Sequence, residues 1–150
     1  MKYDGYSHND LLQILKKGDP NAALLVFFNT VHMTPIDKKL YEKLAMYKNK
    51  IFIRLDDIET FTPPATCPSR THAKKIIDFI DDHRNEYIIV SCNAGESRTG
   101  AVIHYLDQLS KKNLEKWKII PDQFGKEPYY VRDQFRPNRL LDRMLSASLK

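Results

Sequence analysis

The chain reads as an α/β protein with a central, mostly parallel sheet of four to five strands flanked by helices on both faces. Three observations predict it. Apolar runs of strand length alternate along the chain with segments of helical period. The strand expected over residues 22–29 is continuously apolar up to Phe28, as suits a strand buried on both sides. The 150 residues match one domain over 1–150, long enough to pack helices on a sheet.

The elements follow in order. A first helix is expected from about Ser7, which pairs with Asp10 as a cap. Leu11, Leu12, Ile14 and Leu15 form its apolar face, and Gly18 closes it. Asp19, Pro20 and Asn21 turn the chain into the strand at 22–29. Thr34, Pro35 and Asp37 combine an N-cap, a proline at the first helical position and an acid at the third. They predict a helix through Leu40, Tyr41, Leu44 and Ala45. Residues 50–55 form the next strand and end on Asp56 and Asp57. Residues 60–68 hold three prolines and are a loop. Ala73, Ile76, Ile77 and Ile80 recur at i, i+3, i+4 and i+7, so the spacing predicts a helix over 69–82. A β-branched strand at 87–91 and a helix over 98–110 come next. Residues 113–135 carry Trp117, Phe124, Tyr129 and Tyr130 with no sustained period and yield no assignment. Pro137 is expected to start a last helix through Leu140, Leu141, Met144 and Leu145.

Composition excludes several classes. Hydrophobic residues at 42% and charged residues at 29% are ordinary for a globular chain and exclude disordered or collagen-like architectures. No apolar run approaches the roughly 20 residues of a membrane-spanning helix, so no membrane partner is expected. The first five residues lack the apolar core of a signal peptide, and the chain is expected to start where the sequence does. Two cysteines, Cys67 and Cys92, build neither a disulfide scaffold nor a four-ligand zinc site, which points to the reducing cytoplasm. The net charge of +5 is a mild attraction for phosphates. Its lysine pairs are dispersed and give no nucleic-acid stripe. His8, His32, His72, His83 and His104 show no metal-ligand spacing, and neither metal nor other cofactor is expected. A monomer is the expected state.

The chemistry concentrates between Ile88 and Gly100. In a parallel sheet the binding site lies beyond the carboxyl ends of the strands, which places Asp56, Asp57 and Cys92 on one rim. The strand delivers Cys92 to that rim, five residues pass, and Arg98 opens a helix. If the backbone between curls around one point, the amides of Asn93, Ala94, Gly95, Glu96, Ser97 and Arg98 converge on it, backed by the positive end of the helix. Gly95 supplies the freedom such a cradle needs, and Arg98 adds a planar, two-pronged donor for two phosphate oxygens. The same field favours the nucleophilic thiolate form of a cysteine. Ser97 or Thr99 is placed to hydrogen-bond the sulfur, Thr99 being preferred because it follows the arginine. Its hydroxyl would ease expulsion of sulfur when an intermediate breaks down.

The run Cys92, Asn93, Ala94, Gly95, Glu96, Ser97, Arg98, Thr99, Gly100 resembles the signature loop of the cysteine-based protein tyrosine phosphatases: cysteine, five residues, arginine, then serine or threonine. The short chain is similar to their compact dual-specificity branch. The likeness covers about residues 50–110 by motif and order of elements, and the flanks by architecture. Ser91 stands where that family often has a histidine. The resemblance implies the phosphatase fold and a phosphocysteine intermediate on Cys92, with phosphate held by Arg98 and the amides of residues 93–98.

It also implies a general acid from a loop upstream, and Asp56 and Asp57 lie 36 and 35 residues before Cys92. Asp57 is the first choice, because one step further along the loop frees it from the sheet. One of the pair is expected to cap the loop by bonding its amides. Glu59 is a distant third. No metal is required. A phosphorylated protein or peptide is the expected substrate. The alternatives are an RNA 5′-phosphate, a phosphoinositide, an inactive phosphate-binding module and a sulfur-transfer enzyme of rhodanese-like fold. The acidic Glu96 contrasts with the lysines that phosphoinositide-directed relatives tend to put in the loop.

Three further features have two readings each or lie at the edge of the motif. Cys67 is a redox partner for Cys92 or an unpaired loop thiol, the latter favoured. Arg136, Pro137 and Asn138 resemble a segment near the last helix of related phosphatases and are read as packing behind the nucleophile loop. Trp117, Tyr129 and Tyr130 line a groove or fill core, the latter favoured.

Overall fold

The computed structural model describes residues 1–121 and 128–150; Phe124 lies outside the described residues. Strands Lys2–Ser7 (β1), Ala22–Phe28 (β2), Lys50–Arg54 (β3) and Tyr87–Cys92 (β4) form one sheet in the order β1-β4-β2-β3, every pair parallel. The order requires right-handed crossovers through helices, and these are His8–Lys16 (α1), Pro35–Leu44 (α2) and Arg70–Asp82 (α3), followed by Arg98–Ser110 (α4) and Arg139–Ala147 (α5).

The sheet is covered on both faces because alternate residues of its inner strands point opposite ways. Leu24, Val26, Phe28 and Ile89 face α1 and α2, packing on Leu11, Leu12, Leu15, Leu40 and Leu44. Ala23, Leu25, Phe27, Ile88 and Val90 face the larger cluster of α3, α4 and α5, with Ile76, Ile80, Val102, Leu106, Leu141 and Leu145. The continuous apolar run of β2 is thus the signature of a strand with two buried faces.

Local signals set the helix starts. Ser7 accepts from the Asp10 amide, and Thr34 and Asp37 form a reciprocal capping box with Pro35 at the first position. Ser69 caps α3, accepting from the His72 amide. The last helix begins later than Pro137, the expected start. Asn138 is its N-cap, accepting from the Leu141 amide at 3.0 Å, so Pro137 lies before the cap and Arg139 is the first helical residue.

Two features were not anticipated. β1 lies ahead of the first expected helix, where the sequence predicts no element. The stretch 113–135 contains a 3-10 turn, Leu114–Lys116, and an antiparallel pair, Lys118–Ile120 (β5) with Tyr129–Val131 (β6). That pair is anchored by the fully buried carboxylate of Asp107, which accepts from Tyr3, Asn113, Trp117 and Arg132. Among the described residues no helix is long and apolar enough to cross a membrane, and no three His, Cys, Asp or Glu side chains gather into a metal-binding group.

Candidate active site

The parallel register brings the carboxyl ends of the strands to one edge, with Ser7 opposite Cys92 and Phe28 opposite Arg54. A cleft of about 390 Å³ opens there, lined by Asn29, Asp56, Asp57, Cys92, Asn93, Ala94, Glu96, Ser97 and Arg98. Cys92, at the tip of β4, is 2% exposed, and its Sγ accepts from the Thr99 amide at 3.5 Å. The sulfur therefore sits under the first turn of α4, where unpaired helical amides carry partial positive charge.

The loop between Cys92 and Arg98 is held from behind. Gly95 adopts φ +68, and a Cβ there would lie 2.5 Å from the Ser7 nitrogen and 2.7 Å from the Tyr6 carbonyl carbon, so only glycine lets the loop press on β1. The segment before α5 backs the other side: the Arg136 amide donates to Glu96 O at 3.1 Å and the Asn138 amide to Ser97 O at 3.0 Å. Among the described residues, the amides of Asn93, Ala94, Glu96, Ser97 and Arg98 donate to no protein acceptor.

Two details depart from expectation. The Gly95 amide donates to Cys92 O at 3.2 Å, inside the loop, and so does not point with the other amides. The Thr99 group that reaches the sulfur is its amide, while its hydroxyl is buried with no partner, because the Thr99 methyl packs against Gly5 of β1.

Arg98 is 4% exposed. Its Nη1 donates to Asn29 Oδ1 at 2.7 Å and Leu55 O at 2.8 Å, at the ends of β2 and β3. Its Nε is buried without an acceptor. The guanidinium is thus fixed along one edge and unsatisfied on another, and a buried donor without a partner is costly unless a ligand supplies one.

The two aspartates separate cleanly. Asp56 is buried and accepts from the Thr30 amide at 3.1 Å, the Thr30 hydroxyl and the Thr66 amide at 2.7 Å. Burial alone would raise its pKa, but the bonds from Thr30 and Thr66 outweigh it and hold the carboxyl below its ordinary range. Asp56 pins two loops together. Asp57 is exposed, and its Oδ1 accepts from Ser97 Oγ at 2.7 Å and Asn138 Nδ2 at 3.0 Å. Glu59 is bound to Arg139 and does not line the cleft.

Sequence reasoning missed the support under Asn93. The His8 Nδ1 lies 2.5 Å from Asp37 Oδ1, both residues being buried, and Asn93 Nδ2 donates to both Asp37 oxygens at 3.3 and 3.2 Å. An ionised carboxylate only accepts, so Nδ1 carries the imidazole proton. The capping-box pattern around Asp37 was a visible signal, but its second use was not.

Burial lowers the His8 pKa more than the Asp37 contact raises it. Burial works against the Asp37 charge, but the bonds from His8 and Thr34 outweigh it and hold its pKa down. Burial likewise lowers the pKa of His72, and all four depressed groups lose stability as pH falls. Below about 6.5 the unfolded chain protonates its His8 while the folded chain resists, and below about 3.8 the same holds for Asp37 and Asp56. A Tm series from pH 8 to 3 is expected to fall in two steps, and His8→Gln is expected to shrink the upper one to the share of His72. A flat profile down to pH 5 in the unaltered protein would contradict the burial of a neutral His8.

Other singled-out residues lie elsewhere. Cys67 is half-buried and unpaired. Trp117, Tyr129 and Tyr130 border a separate cavity of about 770 Å³ with His104, whose ring stacks on Trp117 and Tyr130 at centroid distances of 4.4 and 4.7 Å.

No protein-family model matches the chain, and no curated protein does. Among solved structures it is similar to PTPMT1 in complex with PI(5)P, at 12% identity and a TM-score of 0.51, covering 99% of this chain and 95% of that one. It is also similar to Cydia pomonella PTP-2 phosphatase, at 10% identity and a TM-score of 0.49, covering 89% and 95%. The α/β architecture is that of the protein tyrosine phosphatases.

Proposed function

We propose that the chain is a phosphomonoester hydrolase of the cysteine-based phosphatase type, working through a phosphocysteine on Cys92. The observation that carries this reading is the cleft itself. It sets a buried cysteine sulfur beneath free loop amides and an arginine whose Nε is buried with no acceptor. A tetrahedral dianion satisfies those donors and brings its phosphorus in line with the sulfur.

In the first step the Cys92 thiolate forms a sulfur–phosphorus bond as the ester oxygen leaves with a proton from Asp57. In the second, Asp57 takes a proton from water, whose oxygen attacks phosphorus and returns the sulfur as thiolate with release of inorganic phosphate. Arg98 and the amides hold the equatorial oxygens through both steps. The exposure of Asp57 on the cleft rim supports it as acid over Asp56, whose two oxygens are occupied. Asp57→Asn is expected to lower kcat/KM by roughly 10²- to 10⁴-fold on alkyl or phenyl phosphates, far less on aryl phosphates with good leaving groups, and to remove the basic limb of its pH profile. If Asp56→Asn gives that signature instead, the acid moves by one residue.

A phosphorylated protein or peptide, on phosphotyrosine and on phosphoserine or phosphothreonine, is the substrate class we favour. A phosphoinositide is the second reading, suggested by the PI(5)P complex of the PTPMT1 structure. The exposed Glu96 carboxylate on the cleft rim disfavours a polyanionic headgroup. Initial rates on phosphotyrosine, phosphoserine and phosphothreonine peptides, a phosphoinositide and a 5′-triphosphorylated RNA discriminate these. Peptide turnover at least tenfold above the others is expected, and failure to hydrolyse any of them would overturn the enzyme reading.

A further inference from the structure

The loop carrying Asp57 is tied down by the start of α5, residue against residue. Asn138 Nδ2 donates to Asp57 Oδ1 at 3.0 Å and to Ile58 O at 2.9 Å. The next residue, Arg139, donates its amide to Glu59 Oε2 at 2.6 Å and its guanidinium to both Glu59 oxygens, Nε at 3.1 Å to each and Nη2 at 2.8 Å to Oε1. The same Asn138 donates its amide to Ser97 O, and Ser97 Oγ returns to Asp57 Oδ1. Nucleophile loop, acid loop and helix start thus form one closed ring. Both donors meet Oδ1, and among the described residues Oδ2 has no partner, which leaves it to carry the proton.

We propose that the Glu59–Arg139 pair, with the Asn138 carboxamide, is a latch that keeps the Asp57 loop over the cysteine cleft through turnover, so that the acid is held in place and not delivered by a loop swing. The inference rests on the reading of Asp57 as the general acid. Glu59 and Arg139 are positioning residues and touch no reacting atom. Their side chains are 34% and 24% exposed. An ion pair with that much solvent contact contributes little to global stability, but a two-pronged pair reinforced by a backbone bond fixes direction. Proton transfer needs direction, because a misplacement of about 1 Å can cost on the order of 10²-fold in rate.

The test is the dependence of kcat/KM, which reports the step that expels the leaving group, on leaving-group pKa across a series of aryl phosphates, measured for the unaltered protein, Asp57→Asn, Glu59→Gln, Arg139→Gln and the double variant Glu59→Gln/Arg139→Gln. Glutamine at 59 can still accept from the Arg139 amide, so the substitution removes charge with least disturbance. Glu59→Gln is expected to lower kcat/KM roughly 10- to 10²-fold on the poorest leaving groups and less than about twofold on the best, with Tm nearly unchanged. The double variant is expected to be no worse than either single, because both remove one interaction.

A loss equal across the series, accompanied by a lower Tm, would mean a merely structural pair and overturn the latch. An unaltered series in Glu59→Gln while Asp57→Asn is steep would overturn the latch and leave the acid standing. A flat Asp57→Asn series would remove the acid and the latch together.

Discussion

Cys92→Ser is expected to abolish hydrolysis of an aryl phosphate, lowering kcat by roughly 10⁴- to 10⁶-fold, while the protein still binds inorganic phosphate. The sulfur is a nucleophilic atom at the base of the cleft, with the Thr99 amide donating to it at 3.5 Å and the first turn of α4 above it. A serine hydroxyl in that field stays protonated. Asp57 must be protonated for the first step and so is no base for it, and His8 is bonded to Asp37 behind the loop. The donors for phosphate, Arg98 and the amides, do not depend on the side chain at 92, and serine fits where cysteine does. Rate and binding therefore separate in this variant. Titration calorimetry with inorganic phosphate gives the binding, and a stopped assay gives the rate. Turnover within about tenfold of the unaltered protein would end the covalent mechanism, and loss of phosphate binding together with Tm would mean that the loop had collapsed.

Much of this architecture was legible because its causes are local. The alternate faces of β2 are both buried, so it reads as a continuous apolar run. The caps at Ser7, Thr34 and Ser69 are set within four residues of the helices they start. What escaped depended on residues distant in sequence. β1 carries Asp4 and Gly5 and pairs only with β4 at the sheet edge, so no burial pattern marks it. Its Gly5 is required by distant neighbours, since a Cβ there would meet the Thr99 methyl at 2.6 Å and the Phe135 ring at 2.9 Å. Asp56 and Asp57 are adjacent and chemically identical in the sequence. They are distinguished by Thr30 and Thr66 closing on one, and by Ser97 and Asn138 reaching the other. The antiparallel β5–β6 pair is likewise assembled around Asp107, a carboxylate that its own helix gives no reason to bury. Motif spacing thus locates the chemistry, and tertiary bonds assign the roles.

Arg98→Lys is expected to lower kcat/KM by at least roughly 10²- to 10³-fold, although it keeps the positive charge. The guanidinium has two duties that need different edges of one plane. Its Nη1 closes the ends of β2 and β3 through Asn29 and Leu55, while its Nε has no protein acceptor. An ammonium is a point charge on a flexible stem and cannot hold both strand ends while presenting a two-pronged, planar face to the equatorial oxygens. Either Asn29 Oδ1 and Leu55 O lose their buried donor, at a cost of about 1–3 kcal/mol, or the phosphate loses its clamp.

Asn29→Ala separates the two duties. It removes one anchor of the guanidinium without touching the prongs, so it is expected to lower Tm more than it lowers kcat/KM. Phosphate affinity, kcat/KM and Tm measured on both variants decide the matter. If Arg98→Lys kept more than about a tenth of the activity, charge alone would suffice and the fork geometry would have no part in catalysis. If Asn29→Ala lost as much activity as Arg98→Lys, the strand-end anchor would itself be the source of the arginine's effect.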